Sequence, residues 1–233
     1  MNHRSTVGDT TALSKNRLFG QLEPEKLDEL LALSRLERFA PKDVVFLKGD
    51  PGDCLYAIVS GRIGITTTSE GGKEIFLNIL GPGEVFGEIA LLDGRERTAG
   101  AMALDPAELL RIDQADFLPF LERNPKLGIR LMRVLCERIR WTSDIIEDTI
   151  FLDVPHRLAK RLLTLVKQYG KPTRNGITID IKLSQESLGR MLGVTRESVN
   201  KGIRTLEAQG IIAHEHGIIN VTDIASLEAF VVI

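Results

Sequence analysis

Cysteine is scarce in this chain, with 2 in 233 residues, Cys54 and Cys136. Two thiols exclude a disulfide framework and a four-thiolate cluster, and they fit a reducing cytoplasm. Histidine is nearly as sparse: His3, His156, His214 and His216 are the only four. A metal-dependent barrel enzyme would need clustered His and carboxylate ligands, so no metal is expected. No apolar run approaches the roughly 20 residues of a membrane span, and the start lacks a signal-peptide pattern. A P-loop is missing, and the stretch Gly81 to Gly87 misses Gly-x-Gly-x-x-Gly by one residue. A large excess of one charge is also absent, since 30 Lys and Arg face 32 Asp and Glu.

What charge there is divides unevenly. From Val154 onward 11 basic residues face 7 acidic ones, a balance of +4, which leaves −6 on the first 153 residues. A basic C-terminal third behind an acidic body points to a polyanion partner for that third. Hydropathy changes along the chain as well. Met1 to Lys15 is polar and reads as a loose tail. Pro24 opens an amphipathic helix carrying Leu27, Leu30, Leu31 and Leu33. From Val44 to Leu110, short apolar runs alternate with glycine-rich turns, the pattern of an antiparallel sandwich or barrel.

Within that region, Gly87 to Ala99 forms a short turn rich in charge and glycine. A solvated turn has the same composition, but this one also offers what a cyclic ribose phosphate needs. Glu88 can accept from a sugar hydroxyl, and Arg97 presents a planar fork for two phosphate oxygens. Gly87 permits close backbone approach, and N–H groups near Arg97 and Thr98 add donors.

From Pro125 to Leu152 glycine and proline nearly vanish. Leu131, Leu135, Arg138, Thr142, Ile145, Thr149 and Leu152 alternate steps of four and three, a heptad seam. Such a helix is about 42 Å long and is expected to pair with its twin in a homodimer. Arg138 and Thr142 are polar where a dimer wants leucine, so a second role is expected there. Asp153 then caps a new amphipathic helix and marks a hinge.

Ser184 to Leu206 reads as two capped helices joined at Gly193, with Ser184 and Thr195 as caps. Leu188, Leu192, Val194, Val199, Ile203 and Leu206 form the buried side. Thr195, Arg196, Glu197, Asn200 and Lys201 are left to meet base edges. The pair of strands around His214 to Gly217 would be a wing, with both histidines as surface polar residues. An α-hairpin with no DNA contact is the plainer alternative; the wing and the leading arginine argue against it.

Three motif groups together resemble the cyclic-AMP receptor protein (CRP/FNR) family of bacterial transcription regulators over about Leu18 to Val221. They are Phe86 to Leu91 with Arg97-Thr98-Ala99, then Trp141-Thr142-Ser143 with Phe151-Leu152-Asp153, and Thr195 to Val199. The resemblance implies an α+β chain: a tail (1–16), an N-terminal antiparallel β-roll that binds a cyclic nucleotide (17–124), a dimerisation helix (125–152) and a C-terminal winged helix-turn-helix (153–233). It places Gly87, Glu88, Ile89, Ala90, Arg97 and Thr98 at the ligand. Thr142 would meet the base from its own subunit and Ser143 the base of the other.

It further implies a homodimer on palindromic DNA, cyclic AMP as effector, and contact with RNA polymerase; the Tyr169 to Gly176 loop stands where family members make one such contact, but its residues match that pattern poorly. No enzyme activity is expected. Three departures stand out. The segment from Glu88 to Arg97 is one residue shorter than in the cyclic-AMP receptor, and Thr98 replaces its serine, which brings in cyclic GMP as a second effector. Lys201 stands where that receptor has arginine, and lysine lacks the bidentate fork. Ile224 to Val232 receives no role.

Overall fold

Short apolar runs separated by left-handed glycine turns pair into two four-stranded antiparallel sheets. We describe the chain from a computed structural model covering residues 13–231 except Lys73 and Lys182. In chain order the elements of the first unit are α1 (Pro24–Ala32), β1 (Ser34–Phe39), β2 (Val44–Phe46), β3 (Cys54–Ser60), β4 (Ile63–Thr68), β5 (Glu74–Leu80) and β6 (Val85–Phe86). They are followed by α2 (Glu88–Asp93), β7 (Gly100–Ala103), β8 (Ala107–Asp113) and α3 (Gln114–Arg123). One sheet runs β1-β8-β3-β6 and the other β2-β7-β4-β5. In β8, Ala107, Leu109, Leu110 and Ile112 are buried, and the adjacent Leu109 and Leu110 face opposite apolar layers.

Two apolar layers hold this unit. Tyr56, Ile58, Phe86, Ala101 and Leu109 fill one, with Cys54 among them. The other lies under the helices, where Leu30, Leu110, Phe117, Phe120 and Leu127 are all at most 2% exposed. Phe19 and Phe117 meet edge-to-face in it, with ring centroids 6.4 Å apart. This second layer also takes in Leu13, 1% exposed, and the neighbouring Asn16 is 3% exposed. Asn16 Oδ1 accepts from the backbone N–H of Leu18 and of Phe19, at 2.9 and 3.2 Å. The expected tail therefore stops short of Leu13, and its remainder, residues 1–12, lies outside the described residues.

The long helix α4 spans Pro125–Phe151. Compact packing divides the chain within it, at 139/140, rather than at Asp153. The reason lies in side-chain ties: the Arg161 guanidinium sits 5.2 Å from the Trp141 ring, and Lys160 Nζ lies 2.5 Å from Asp148 Oδ1. These fasten the end of α4 to the following helix, α5 (Val154–Tyr169).

The second unit continues with β9 (Gly170–Thr173), β10 (Gly176–Ile179), α6 (Gln185–Leu192), α7 (Arg196–Ala208), β11 (Ile212–Glu215), β12 (Ile218–Val221) and α8 (Ile224–Val231). Its sheet runs β11-β12-β10-β9. The Tyr169 to Gly176 stretch, expected as loop, thus contains an edge strand. Pro172 is tolerated there because an edge position needs no second ladder partner. The unassigned tail forms α8, which packs its Leu227 into the domain core and stacks Phe230 on His156 with centroids 4.6 Å apart.

Phe117 closes the N-terminal core with complete burial, so Phe117→Ala leaves a large void. It is expected to cost about 3–5 kcal/mol, read as a lower urea midpoint for the N-terminal unit.

Candidate functional site

The Gly87 to Ala99 segment is more than a turn: Glu88 to Asp93 wind into the short helix α2, with left-handed glycines at both ends. Gly87 has φ of 84°, and a Cβ there would lie 2.7 Å from Arg97 Nη1. Only glycine meets both the backbone and the spatial demand. The helix buries Glu88 completely, and Arg97 is 4% exposed. The backbone of Arg97 is pinned by the preceding turn: its N–H donates to Asp50 O at 2.8 Å, and its carbonyl accepts from Gly49 N at 2.9 Å.

A buried carboxylate requires a partner. Glu88 Oε1 receives one from Arg138, whose other terminal nitrogen donates to Val85 O. Glu88 Oε2 is buried and unpartnered. Arg97 is held differently. Its Nη1 donates to Gly87 O at 2.7 Å, its Nη2 to Cys54 Sγ at 3.1 Å, and its Cζ lies 4.2 Å from the Phe46 ring centroid. Its Nε is buried with no partner. Among the described residues no carboxylate pairs with it. Phe46, Ile65, Glu88, Ile89, Arg97, Thr98 and Arg138 line a cavity of about 70 Å³. Ala90, on α2, is buried, while Ile89 and Thr98 are exposed. A small cavity walled by an uncompensated cation and a half-satisfied carboxylate can take an anion beside a hydroxyl.

The structure brings Gly87, Glu88, Ile89, Ala90, Arg97 and Thr98 together in the N-terminal unit. Thr142 and Ser143 are exposed on the part of α4 that belongs to the other unit. Three neighbours were not among the expected site residues. Arg138 was conspicuous as a polar break in the seam, which was the available signal. Nothing in the sequence pattern singles out Phe46 or Cys54.

The seam itself needs correction. Leu131 is 2% exposed and packs in its own domain core, so it has no surface left for a partner. The exposed apolar side chains of α4 are Ile129, Met132, Ile139, Ile145, Ile146, Ile150 and Phe151. With Cys136 and Ser143, also exposed, the series 129, 132, 136, 139, 143, 146, 150 runs in steps of three and four along one stripe. Leu135, Thr142, Ile145 and Thr149 lie on the turn of helix beside it.

In the second unit α6 and α7 carry the expected caps. Ser184 Oγ accepts from Ser187 N at 3.0 Å and Thr195 Oγ1 from Ser198 N at 3.2 Å. Gly193 takes φ of 67° at the turn between them. Val199, Ile203 and Leu206 are buried, which leaves Thr195, Arg196, Glu197 and Lys201 exposed and Asn200 half-buried. Arg196 Nε and Asn200 Oδ1 both contact Gln185, at 3.4 and 3.5 Å. Its own backbone N–H, then the Thr195 hydroxyl, hold the Glu197 carboxyl below the usual range, keeping it an acceptor. β11 and β12 form a hairpin with His216 and Gly217 at positive φ, the expected wing. Among the described residues no group of three His, Cys, Asp or Glu is placed to hold a metal, and no helix is long and apolar enough to cross a membrane.

These two sites coincide with two family models: the cyclic nucleotide-binding domain matches residues 36–124 and the Crp-like helix-turn-helix domain matches residues 156–230. The chain is 31% identical over 211 residues to a CRP-like cAMP-activated global transcriptional regulator of Mycobacterium tuberculosis, covering 91% of this chain and 94% of that one. It is 33% identical over 213 residues to the cyclic AMP receptor protein of Thermus thermophilus, with the same coverages. The solved catabolite activator protein of Thermus thermophilus matches at a TM-score of 0.54 and 31% identity over 93% of this chain and 98% of that one. The CLP regulator of Xanthomonas campestris, 23% identical, shares the fold at a TM-score of 0.77 over 86% of this chain and 100% of that one. With an α+β architecture of antiparallel sheets, long helix and helix-turn-helix, the chain belongs to the CRP/FNR family of transcription regulators, which are not enzymes.

Proposed function

We propose that this regulator is switched by a cyclic purine nucleotide, cyclic AMP and comparably cyclic GMP, which brings a homodimer onto palindromic DNA. The observation that carries the reading is the pairing of a buried, carboxylate-free Arg97 with the orphaned Glu88 Oε2 on one cavity. Arg97, with N–H groups around Thr98, takes the cyclic phosphate. Glu88 Oε2 accepts from the ribose hydroxyl while Oε1 stays with Arg138. Gly87, Ile89 and Ala90 shape the wall. The relatives named as cAMP-activated regulators support cyclic AMP; the threonine at position 98 supports cyclic GMP.

Thr142 meets the base from its own subunit, and Ser143 reaches the base held by the other. Ser143 supports this by falling in step with Ile139 and Ile146 on the outward stripe of α4. The stripe pairs two chains, and an apolar face of this length exposed to water favours such pairing. Nucleotide then shifts the population toward dimers whose α7 helices stand about one DNA turn apart, ~34 Å. Arg196 and Glu197 read base edges, Asn200 and Lys201 add polar contacts, and Thr195 presents the helix start. RNA polymerase is its further partner, met in the bacterial cytoplasm.

Calorimetric titration should show both cyclic nucleotides binding the wild-type protein. Arg97→Ala should abolish nucleotide-dependent DNA binding while leaving the protein folded and dimeric; the absence of heat with cyclic GMP at millimolar ligand would remove the second effector. Arg196→Ala should keep nucleotide binding and lose about 1–3 kcal/mol of site discrimination, measured by gel-shift competition. Ile139→Lys, which changes a side chain already exposed in the single chain, should yield a folded monomer in sedimentation analysis.

A further inference from the structure

Arg97 faces a physical problem common to buried anion receptors. It must be fixed in place, yet any carboxylate that fixes it would also consume its charge. Here the groups in contact with its guanidinium are uncharged. Gly87 supplies a carbonyl, Cys54 a thiol sulfur, and Phe46 the face of a ring. Burial pushes the Cys54 thiol up from its ordinary value, so the sulfur stays neutral beside the cation. The ring is itself braced. Phe46 lies 5.8 Å from Phe86 and 6.1 Å from Tyr56, and those two stack at 5.2 Å with planes 15° apart. The β2 strand that carries Phe46 pairs with β7 at Ala101, four residues beyond Arg97. Backbone and side chain thus fix the ring and the guanidinium relative to each other.

We infer that Phe46 and Cys54 are positioning residues for the phosphate-binding function of Arg97, forming a neutral cradle that orients the guanidinium without neutralising it. This rests on the reading of Arg97 as the phosphate ligand and extends it to two residues with no assigned role. A cation over an aromatic face is attracted by the ring quadrupole, and more strongly where water is excluded. Leucine at position 46 keeps apolar volume but has no such face. A carboxylate at position 54 would stand where the sulfur does and pair with Arg97 directly, closing the site to an anion.

The test is titration of cyclic AMP and of adenosine, which lacks the phosphate, against full-length wild type, Phe46→Leu, Phe46→Tyr, Cys54→Ser and Cys54→Asp, with thermal unfolding of each. The inference predicts that Phe46→Leu weakens cyclic AMP by about 3- to 30-fold and leaves adenosine unchanged. Phe46→Tyr should restore cyclic AMP binding to near wild type. Cys54→Ser should bind well, whereas Cys54→Asp should lose cyclic AMP while remaining folded. Equal loss of cyclic AMP and adenosine in Phe46→Leu would reveal a merely structural ring and overturn the inference, as would wild-type affinity for cyclic AMP in Phe46→Leu or Cys54→Asp. A wild-type protein that binds neither cyclic AMP nor cyclic GMP would instead overturn the site reading, and the cradle with it.

Discussion

A buried guanidinium left without a counter-charge is the constraint around which the N-terminal unit is organised. Removing a cation from water is expensive unless hydrogen bonds or an ion pair compensate. Arg97 has two such bonds and an aromatic face, but no carboxylate among the described residues. Maintaining it demands the left-handed Gly87, the short helix α2, the turn at Asp50 and the aromatic cluster beneath. Glu88 is the opposite case, since its charge is half met by Arg138 and half open. The two residues differ in sign and each is incompletely satisfied, which suits a ligand carrying an anion and a hydroxyl close together.

Arg138 links that site to the long helix. It sits on α4 but turns its guanidinium into the first unit, onto Glu88 and the Val85 carbonyl. Any ligand that claims Glu88 therefore acts on a residue of α4. The same helix carries the outward apolar stripe and ends against α5 through Trp141, Arg161, Asp148 and Lys160. This helix thus bears the arginine that pairs with Glu88, the proposed dimer face and the side chains tied to α5.

Much of this was legible in the residues. The caps at Ser184 and Thr195, the turn at Gly193 and the buried set of α7 follow from helix chemistry that depends only on near neighbours. Glu88, Arg97 and Gly87 drew notice by their types and spacing, and the structure gathers them around one cavity. The seam was misplaced for a physical reason. α4 has two apolar faces, and Leu131, which opens the expected seam, belongs to the face turned into its own core. Periodicity reports that a face is apolar, not what covers it. Phe46 and Cys54 were invisible because their role arises from tertiary contacts between residues 97 and 46 or 54, which no local pattern encodes. The strand at Gly170 was hidden by Pro172, which an edge tolerates.

The most direct measurement of the central claim is an experimental structure of the full chain with bound cyclic AMP. The account predicts phosphate oxygens on Arg97, the ribose hydroxyl on Glu88 Oε2, and Phe46 and Cys54 still flanking the guanidinium. Nucleotide bound elsewhere, with Arg97 and Glu88 left as they are, would contradict it.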